Sequence, residues 1–236
     1  MKWQVDVNGG YGACSTSRGR LFFFDRVEDQ ARLRCLNAET GKSLWEYKYD
    51  TDYEDAYGFD NGPRSSPVVD GDRVYVFGVE GELHCVGVND GKRVWMVDTD
   101  EEFQVVKNFF GVGTTPIIHG DLLIAMVGGS PDEDQGKPVG QLLEVQPNGT
   151  GFVAFNKFTG KVVYATGDSL ASYSSIRLAK LGDVTAGITL ARGGLVGFNA
   201  ENGQSLFEIP WRAKRLETVN AATPVIEDDL LSLIHI

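Results

Sequence analysis

The segment LRCLNAETGKSLW, residues 33–45, recurs in altered form three more times along the chain. Each copy has a glycine, a large aromatic residue four positions after it, and a large apolar residue eight positions before it. Two large apolar positions at fixed distances from the glycine would not recur in four copies by chance. The glycine and aromatic pairs form a structural blade motif: Gly41 and Trp45, Gly91 and Trp95, Gly160 and Tyr164, Gly203 and Phe207.

The spacing of these glycines indicates a β-propeller. Successive motif glycines are 50, 69 and 43 residues apart, and propeller repeats lie at roughly 40–50 residues. The long interval contains the Gly-, Pro- and acid-rich segment 128–150, which we interpret as a surface insertion within a blade.

A second pattern, Ser/Thr-Pro followed by apolar residues, comes before the motif at Ser66 and Thr115 and starts again at Thr223. Glycine turns separate the apolar runs, and Gly tolerates the positive φ that tight hairpins require. Each unit is therefore predicted to hold four antiparallel strands, which is the composition of a propeller blade. In the second unit we expect strands near 66–70, 73–79, 82–88 and 93–98.

Two segments also allow a helical interpretation. Residues 26–39 lack Gly and Pro, and Val27, Ala31 and Cys35 fall at helical spacing. The alignment of Leu33 with Leu83, which follows a clear hairpin turn, favours a strand there instead. Residues 100–110 are expected to hold a helical turn between blades.

The predicted fold is thus all-β, with about four blades of a propeller that closes with seven or eight. We interpret residues 1–236 as a single partial propeller domain, and residues 231–236 as non-native sequence. The blades are expected near 14–50, 65–99, 114–167 and 174–210, with the start of a further blade at 222–230.

Composition excludes several classes of partner. The net charge is −11 and the pI about 4.7, which disfavours binding to nucleic-acid phosphates. No apolar run approaches 18 residues, so no membrane span is predicted.

The three cysteines do not form a disulfide framework. Cys35 and Cys85 occupy equivalent strand positions and are expected to be small core residues.

The pattern Asn/Asp-x-x-Thr-Gly-Lys-x-Leu/Val-Trp, complete at residues 37–45, resembles the blade motif of quinoprotein alcohol dehydrogenase-like propellers. More narrowly, it resembles the pyrroloquinoline-quinone-like repeat proteins, from about Trp3 to Leu230. The resemblance implies a periplasmic or extracellular location for the full-length form. Residues 1–6 contain no signal peptide, because they lack an apolar h-region.

Within this family, similar blades occur in quinone-dependent dehydrogenases and in a quinone-free lipoprotein scaffold of outer-membrane assembly. The dehydrogenases need an aromatic floor for the quinone and a calcium ion, and often an adjacent Cys-Cys pair, which this chain lacks. The acid-rich residues 131–136 fail the EF-hand template and are expected to form a solvated loop. We therefore predict a binding or scaffold propeller with no catalytic residue, metal site or cofactor in this segment. A fragment of a quinone-dependent alcohol or sugar dehydrogenase, with pyrroloquinoline quinone and calcium, is the alternative.

The candidate binding residues lie on connections between blades, which border the channel mouth in propellers. Aromatic, acidic and Arg groups that converge there would bind a protein or a small molecule; otherwise they form solvated loops that cap the blades. The candidates are Tyr53, Glu54, Arg64, Glu102, Asn108, Tyr173, Trp211, Arg212 and Asn220.

Overall fold

The computed structural model describes residues 2–212, 220–228 and 230–233. Across these ranges the regular secondary structure is almost entirely β, with four antiparallel four-stranded sheets and one two-stranded ladder. This confirms the all-β prediction of a partial propeller with about four blades. The chain divides into two compact units, Met1–Asp98 with Phe109–Thr115, and Thr99–Asn108 with Pro116–Ile236. The single-domain organisation stays a prediction.

The first unit contains two blades, in which neighbouring strands follow each other in sequence. The strands of its first sheet are β1 (Ser15–Ser17), β2 (Arg20–Val27), β3 (Gln30–Asn37) and β4 (Ser43–Asp50). The strands of its second sheet are β5 (Val68–Asp70), β6 (Arg73–Phe77), β7 (Glu82–Gly87) and β8 (Arg93–Asp98). Strand β5 begins two residues later than predicted. Pro67 has no N–H for the ladder, and the Ser66 N–H donates to Thr115 Oγ1 at 3.0 Å.

The second unit begins with a short helix, α1 (Thr99–Phe103), which confirms the helical turn predicted within residues 100–110. Its first sheet has strands β9 (Ile117–His119), β10 (Leu122–Met126), β11 (Phe152–Asn156) and β12 (Val162–Thr166). Its second sheet has strands β13 (Arg177–Leu181), β14 (Val184–Leu190), β15 (Gly194–Asn199) and β16 (Ser205–Pro210). Strands β17 (Val225–Glu227) and β18 (Leu230–Ser232) form the two-stranded ladder. Asp229 and residues 234–236, parts of the predicted further blade and of the terminal hexapeptide, lie outside the described residues.

The strand favoured for residues 26–39 is confirmed and the helical alternative is wrong, because this segment is the β2–β3 hairpin. Val27 pairs with Gln30 across the turn, and Glu28 adopts a φ of 54° there. The strands bury Leu33 and Cys35 completely. Burial against cross-strand neighbours outweighs the local helical spacing.

The motif glycines adopt the same conformation in every blade. The φ angles of Gly41, Gly91, Gly160 and Gly203 lie between 68° and 77°, the left-handed region that glycine enters without a Cβ penalty. In the first blade, the Gly41 N–H donates to the Asn37 carbonyl at 2.8 Å. Asn37 Oδ1 in turn accepts the Thr40 N–H at 2.9 Å. The asparagine thus fixes the turn through its side chain, as such turns require.

The motif aromatic side chain ties one blade to the turn of the next. Trp45 Nε1 donates to the Val88 carbonyl at 2.8 Å. Its ring covers Gly91, where a Cβ would lie 2.7 Å from Trp45 Cε3. Glycine is therefore required at position 91 for two reasons. Its φ is positive, and the indole of Trp45 leaves no room for a Cβ. The same pair of contacts joins Trp3 to Ala38 and Gly41, and Tyr164 to Ala200 and Gly203.

The insertion lies between β10 and β11 and contains two single 3₁₀ turns, Asp132–Asp134 and Val139–Gln141. The expectation of a wholly solvated acidic loop is wrong at Asp134, which is only 4% exposed. Its carboxylate contacts Lys137 Nζ at 2.5 Å and accepts the Gln146 N–H at 2.6 Å. The Lys137 bond holds the pKa of Asp134 below its ordinary value. Asp134 therefore anchors the insertion from inside.

The cysteines behave as the repeat predicts. Cys35 and Cys85 are free and fully buried at equivalent strand positions, while Cys14 is exposed. Burial raises the pKa of both buried thiols, that of Cys85 to about 12. They serve as small core side chains, not as reactive thiolates.

Candidate functional site

Two of the predicted residues, Tyr53 and Arg64, come together in the first unit. The Arg64 guanidinium carbon lies 5.7 Å from the Tyr53 ring centroid, 5.6 Å from that of Tyr11 and 5.5 Å from that of Phe110. Arg64 Nη2 also donates to Asp55 Oδ2 at 2.5 Å. Three aromatic residues that are distant in sequence therefore surround one neutralised ion pair.

Further aromatic rings extend this group to the surface. The Tyr57 ring centroid lies 6.4 Å from that of Phe59, 5.9 Å from that of Phe109 and 5.7 Å from that of Phe110. Tyr11, Tyr57 and Phe59 are 63%, 54% and 71% exposed. We call this group the aromatic surface; it consists of Tyr11, Tyr53, Tyr57, Phe59, Phe109 and Phe110 around Arg64.

The loop that carries most of the aromatic surface is held by hydrogen bonds from side chains to the backbone. Asn61 Oδ1 accepts the Asp55 N–H at 2.7 Å, and Asp55 Oδ1 accepts the Tyr57 N–H at 2.8 Å. Arg26 is 9% exposed and donates from Nη1 to the Tyr53 carbonyl at 2.6 Å. These bonds give an irregular segment a defined shape, since its carbonyls and amides have fixed partners.

Glu54 lies beside the aromatic surface, in an acidic groove of about 640 Å³. The groove is lined by Asp50, Asp52, Glu54 and the side chains of neighbouring turns, and these three acidic residues are exposed. Glu80 also lines the groove. Burial raises the pKa of its carboxyl above the ordinary value. Tyr49 donates to Glu80 Oε1 at 2.6 Å. The predicted residue Glu54 thus contributes negative charge at the edge and does not pair with Arg64.

The other predicted residues belong to the second unit. Glu102 is exposed on α1, whereas Asn108 is 8% exposed. Neither position shows a ligand-binding contact, so their assignment stays a prediction.

Asn220 holds the turn that follows β14. Its Nδ2 donates to the carbonyls of Ala191 at 2.7 Å, Trp211 at 3.3 Å and Arg192 at 3.4 Å, and its own carbonyl accepts the Tyr173 N–H at 3.0 Å. Asn220 therefore joins the segments that carry Tyr173 and Trp211. The side-chain amide of Asn220 donates to backbone carbonyls of the protein and is not directed at a ligand site.

These segments border a cavity of about 240 Å³ that also contains Arg212. Arg192, which is 5% exposed and was not among the predicted site residues, also lines this cavity. Alignment of the repeats on Leu83 and Leu195 places Arg192 at the position of Glu80, in the turn between the second and third strands. The exchange of an acidic for a basic residue at this repeat position is the signal in the sequence that could have identified Arg192.

Within the described ranges, no group of three or more His, Cys, Asp or Glu side chains is arranged to hold a metal ion. In the same part of the chain, no helix has the length and apolar character needed to cross a membrane.

The four-stranded blades and their glycine–aromatic turns define the chain as a pyrroloquinoline-quinone-like repeat β-propeller. The family model described as outer membrane protein assembly factor BamB matches residues 29–235, and the chain belongs to this family. No curated protein sequence gave a significant match.

Solved structures share the fold at low sequence identity. A europium-containing methanol dehydrogenase superposes with a TM-score of 0.59 at 18% identity, covering 87% of this chain and 42% of that one. BamB from Moraxella catarrhalis superposes with a TM-score of 0.52 at 17% identity, covering 86% of this chain and 53% of that one. The chain thus spans about half the length of these proteins.

Proposed function

We propose that this chain is part of a binding propeller that docks a protein partner on the aromatic surface. The observation that carries the proposal is that Tyr11, Tyr57 and Phe59 are each more than half exposed, with Tyr57 and Phe59 on a loop of defined shape. Clustered exposed rings mark interaction sites in soluble proteins. Aromatic residues and Arg are also the residues that dominate protein interfaces.

The charges around the aromatic surface favour a partner segment that combines basic and apolar side chains. Asp55 neutralises Arg64 through the 2.5 Å contact, so the centre of the surface does not repel a cation. Asp52 and Glu54 are exposed beside it, and the chain carries a net charge of −11. Negative charge accelerates the approach of a basic segment, and aromatic faces attract guanidinium and ammonium groups.

A peptide selection tests this proposal. A displayed random-peptide library is selected against the chain, and the affinity of the best peptide is measured by fluorescence anisotropy. The Tyr57→Ser, Phe59→Ser double variant should bind at least tenfold more weakly, because it removes the two exposed rings. Phe158→Ser is the matched control, since Phe158 is an exposed ring (43%) in the second unit. Selected peptides without basic residues, or equal binding by the double variant, would contradict the proposal.

The dehydrogenase alternative has its own test. The chain is supplied with pyrroloquinoline quinone, calcium and an alcohol or sugar, and reduction of a redox dye is followed. Turnover that requires all of these components would favour the alternative; the binding proposal predicts none. We place the full-length protein in the periplasm or outside the cell, which the family description, an assembly factor of the outer membrane, supports.

A further inference from the structure

Among the residues that the structure describes, the buried Arg192 guanidinium has no carboxylate partner. Arg192 is 5% exposed, and within the same residues its side chain donates one hydrogen bond, from Nη1 to the Leu142 carbonyl at 3.3 Å. Its Nε has no hydrogen-bond partner among the described residues. A buried charge of this kind is unfavourable unless something pairs with it.

Arg192 lines the 240 Å³ cavity of the second unit, together with a second guanidinium, that of Arg212. Burial, with a smaller contribution from the neighbouring Arg212, lowers the pKa of Arg192 to about 10. Arg192 nevertheless keeps its charge at neutral pH. Asp168 and Glu208 also line the cavity, but both residues are exposed and neither forms an ion pair with Arg192.

The backbone around Arg192 is fixed on both sides. The Arg192 N–H donates to the Leu170 carbonyl at 3.2 Å, and Asn220 Nδ2 holds the Ala191 carbonyl at 2.7 Å. The insertion of the preceding blade supplies part of the cavity wall through Leu142. The backbone that carries the guanidinium is therefore held before any ligand arrives, which lowers the entropic cost of binding.

Much of the remaining lining is apolar. Leu142, Leu170, Leu195 and Ile209 line the cavity beside the two guanidinium groups. Small-molecule sites combine apolar walls with a few polar groups and usually have about 300–1,000 Å³, so this cavity of about 240 Å³ suits a compact ligand. Guanidinium groups bind carboxylates through two parallel hydrogen bonds.

We propose that this cavity binds a compact organic carboxylate, with the carboxylate group on Arg192 beside Arg212 and an apolar body against Leu142, Leu195 and Ile209. The proposal goes beyond the docking of a protein partner and does not depend on it, because the aromatic surface belongs to the first unit. It also gives the insertion 128–150 a role as one wall of a ligand site.

The test measures binding of benzoate to the 236-residue chain by isothermal titration calorimetry. Benzamide, which has the same shape without the charge, and inorganic phosphate, which has the charge without the ring, are the comparison ligands. We expect saturable benzoate binding that is at least tenfold tighter than binding of either comparison ligand. Absence of benzoate binding, or equal binding of benzamide or phosphate, would overturn the proposal.

Substitution of Arg192 separates a ligand-binding role from a structural one. Arg192→Met should weaken benzoate binding at least tenfold, while the melting temperature without ligand stays the same or rises, because it removes a buried charge that has no carboxylate partner among the described residues. Arg177→Met is the matched control; Arg177 is exposed on β13 in the same unit, and its removal should leave benzoate affinity unchanged. Equal benzoate affinity in Arg192→Met, or a lower melting temperature of this variant, would overturn the assignment.

Arg192→Lys provides a second variant that keeps the positive charge and loses the planar fork. It should fold like the native chain and bind benzoate several-fold more weakly. Native affinity in this variant would contradict the two-bond contact to the carboxylate.

Discussion

Replacing Gly91 with alanine tests the contact that joins the two blades of the first unit. Gly91 has a φ of 68°, and an added Cβ would lie 2.7 Å from Trp45 Cε3 and 2.8 Å from Cδ2. The left-handed conformation costs a non-glycine residue about 1–2 kcal/mol, and overpacking a filled site costs about 1–3 kcal/mol. We therefore expect Gly91→Ala to lower the free energy of unfolding by about 2–5 kcal/mol.

Gly71→Ala is the control that measures the cost of the left-handed backbone conformation alone. Gly71 has a φ of 58°, and a Cβ there would meet no atom within 4 Å, so Gly71→Ala should cost only about 1–2 kcal/mol. Both variants are compared with the native chain by urea unfolding, followed by circular dichroism. The difference between them isolates the contact with the indole. An equal decrease in the free energy of unfolding in the two variants would refute the argument that the Trp45 ring packs directly on Gly91.

A double-mutant cycle with Trp45→Leu completes this test. The smaller leucine leaves room for the added methyl group, so Gly91→Ala should cost less in this background than in the native chain. Residues in contact show such coupling, whereas independent sites add. Additive effects of the two substitutions would also count against the contact.

Two further stability predictions follow from buried carboxylates. Burial raises the pKa of the Glu80 carboxyl above its ordinary value of 4.5, so its contribution to stability is full below pH 4.5 and is lost as the pH rises through the higher folded pKa. Glu80→Gln should weaken this pH dependence and be more stable than the native chain at pH 8, as shown by urea midpoints at pH 5 and pH 8; an unchanged slope would disprove the prediction. Asp25 is fully buried and accepts from Arg32 Nε at 2.9 Å and Nη2 at 2.7 Å. Asp25→Ala should cost about 3 kcal/mol in the same assay, whereas Asp29→Ala, which removes a 94% exposed carboxylate, should cost less than about 1 kcal/mol.

The blades could be predicted because their chemistry is local and repeated. Asn37 and Gly41 fix one turn through bonds within five residues, and the same spacing returns in each copy, so four weak signals reinforce one another. The hairpin at residues 26–39 was harder, since its helical spacing is local while the burial of Leu33 depends on partner strands.

The candidate site was only partly predictable, because its residues are distant in sequence. Tyr53 and Arg64 were found on a connection rich in aromatic and charged residues. Tyr11 and Phe59 were missed, since nothing in their local sequence shows that they share a surface with Arg64. Arg192 was missed because its burial depends on an insertion that has no counterpart in the other copies.

The central claim is that the aromatic surface is where this propeller binds a protein. Hydrogen–deuterium exchange, measured by mass spectrometry with and without the selected peptide, tests this most directly because it locates the contact. We predict that the peptide slows exchange in residues 53–64 and 109–112 and leaves the turn at 156–160 unchanged. Protection confined to other segments, with no change in residues 53–64, would contradict the claim.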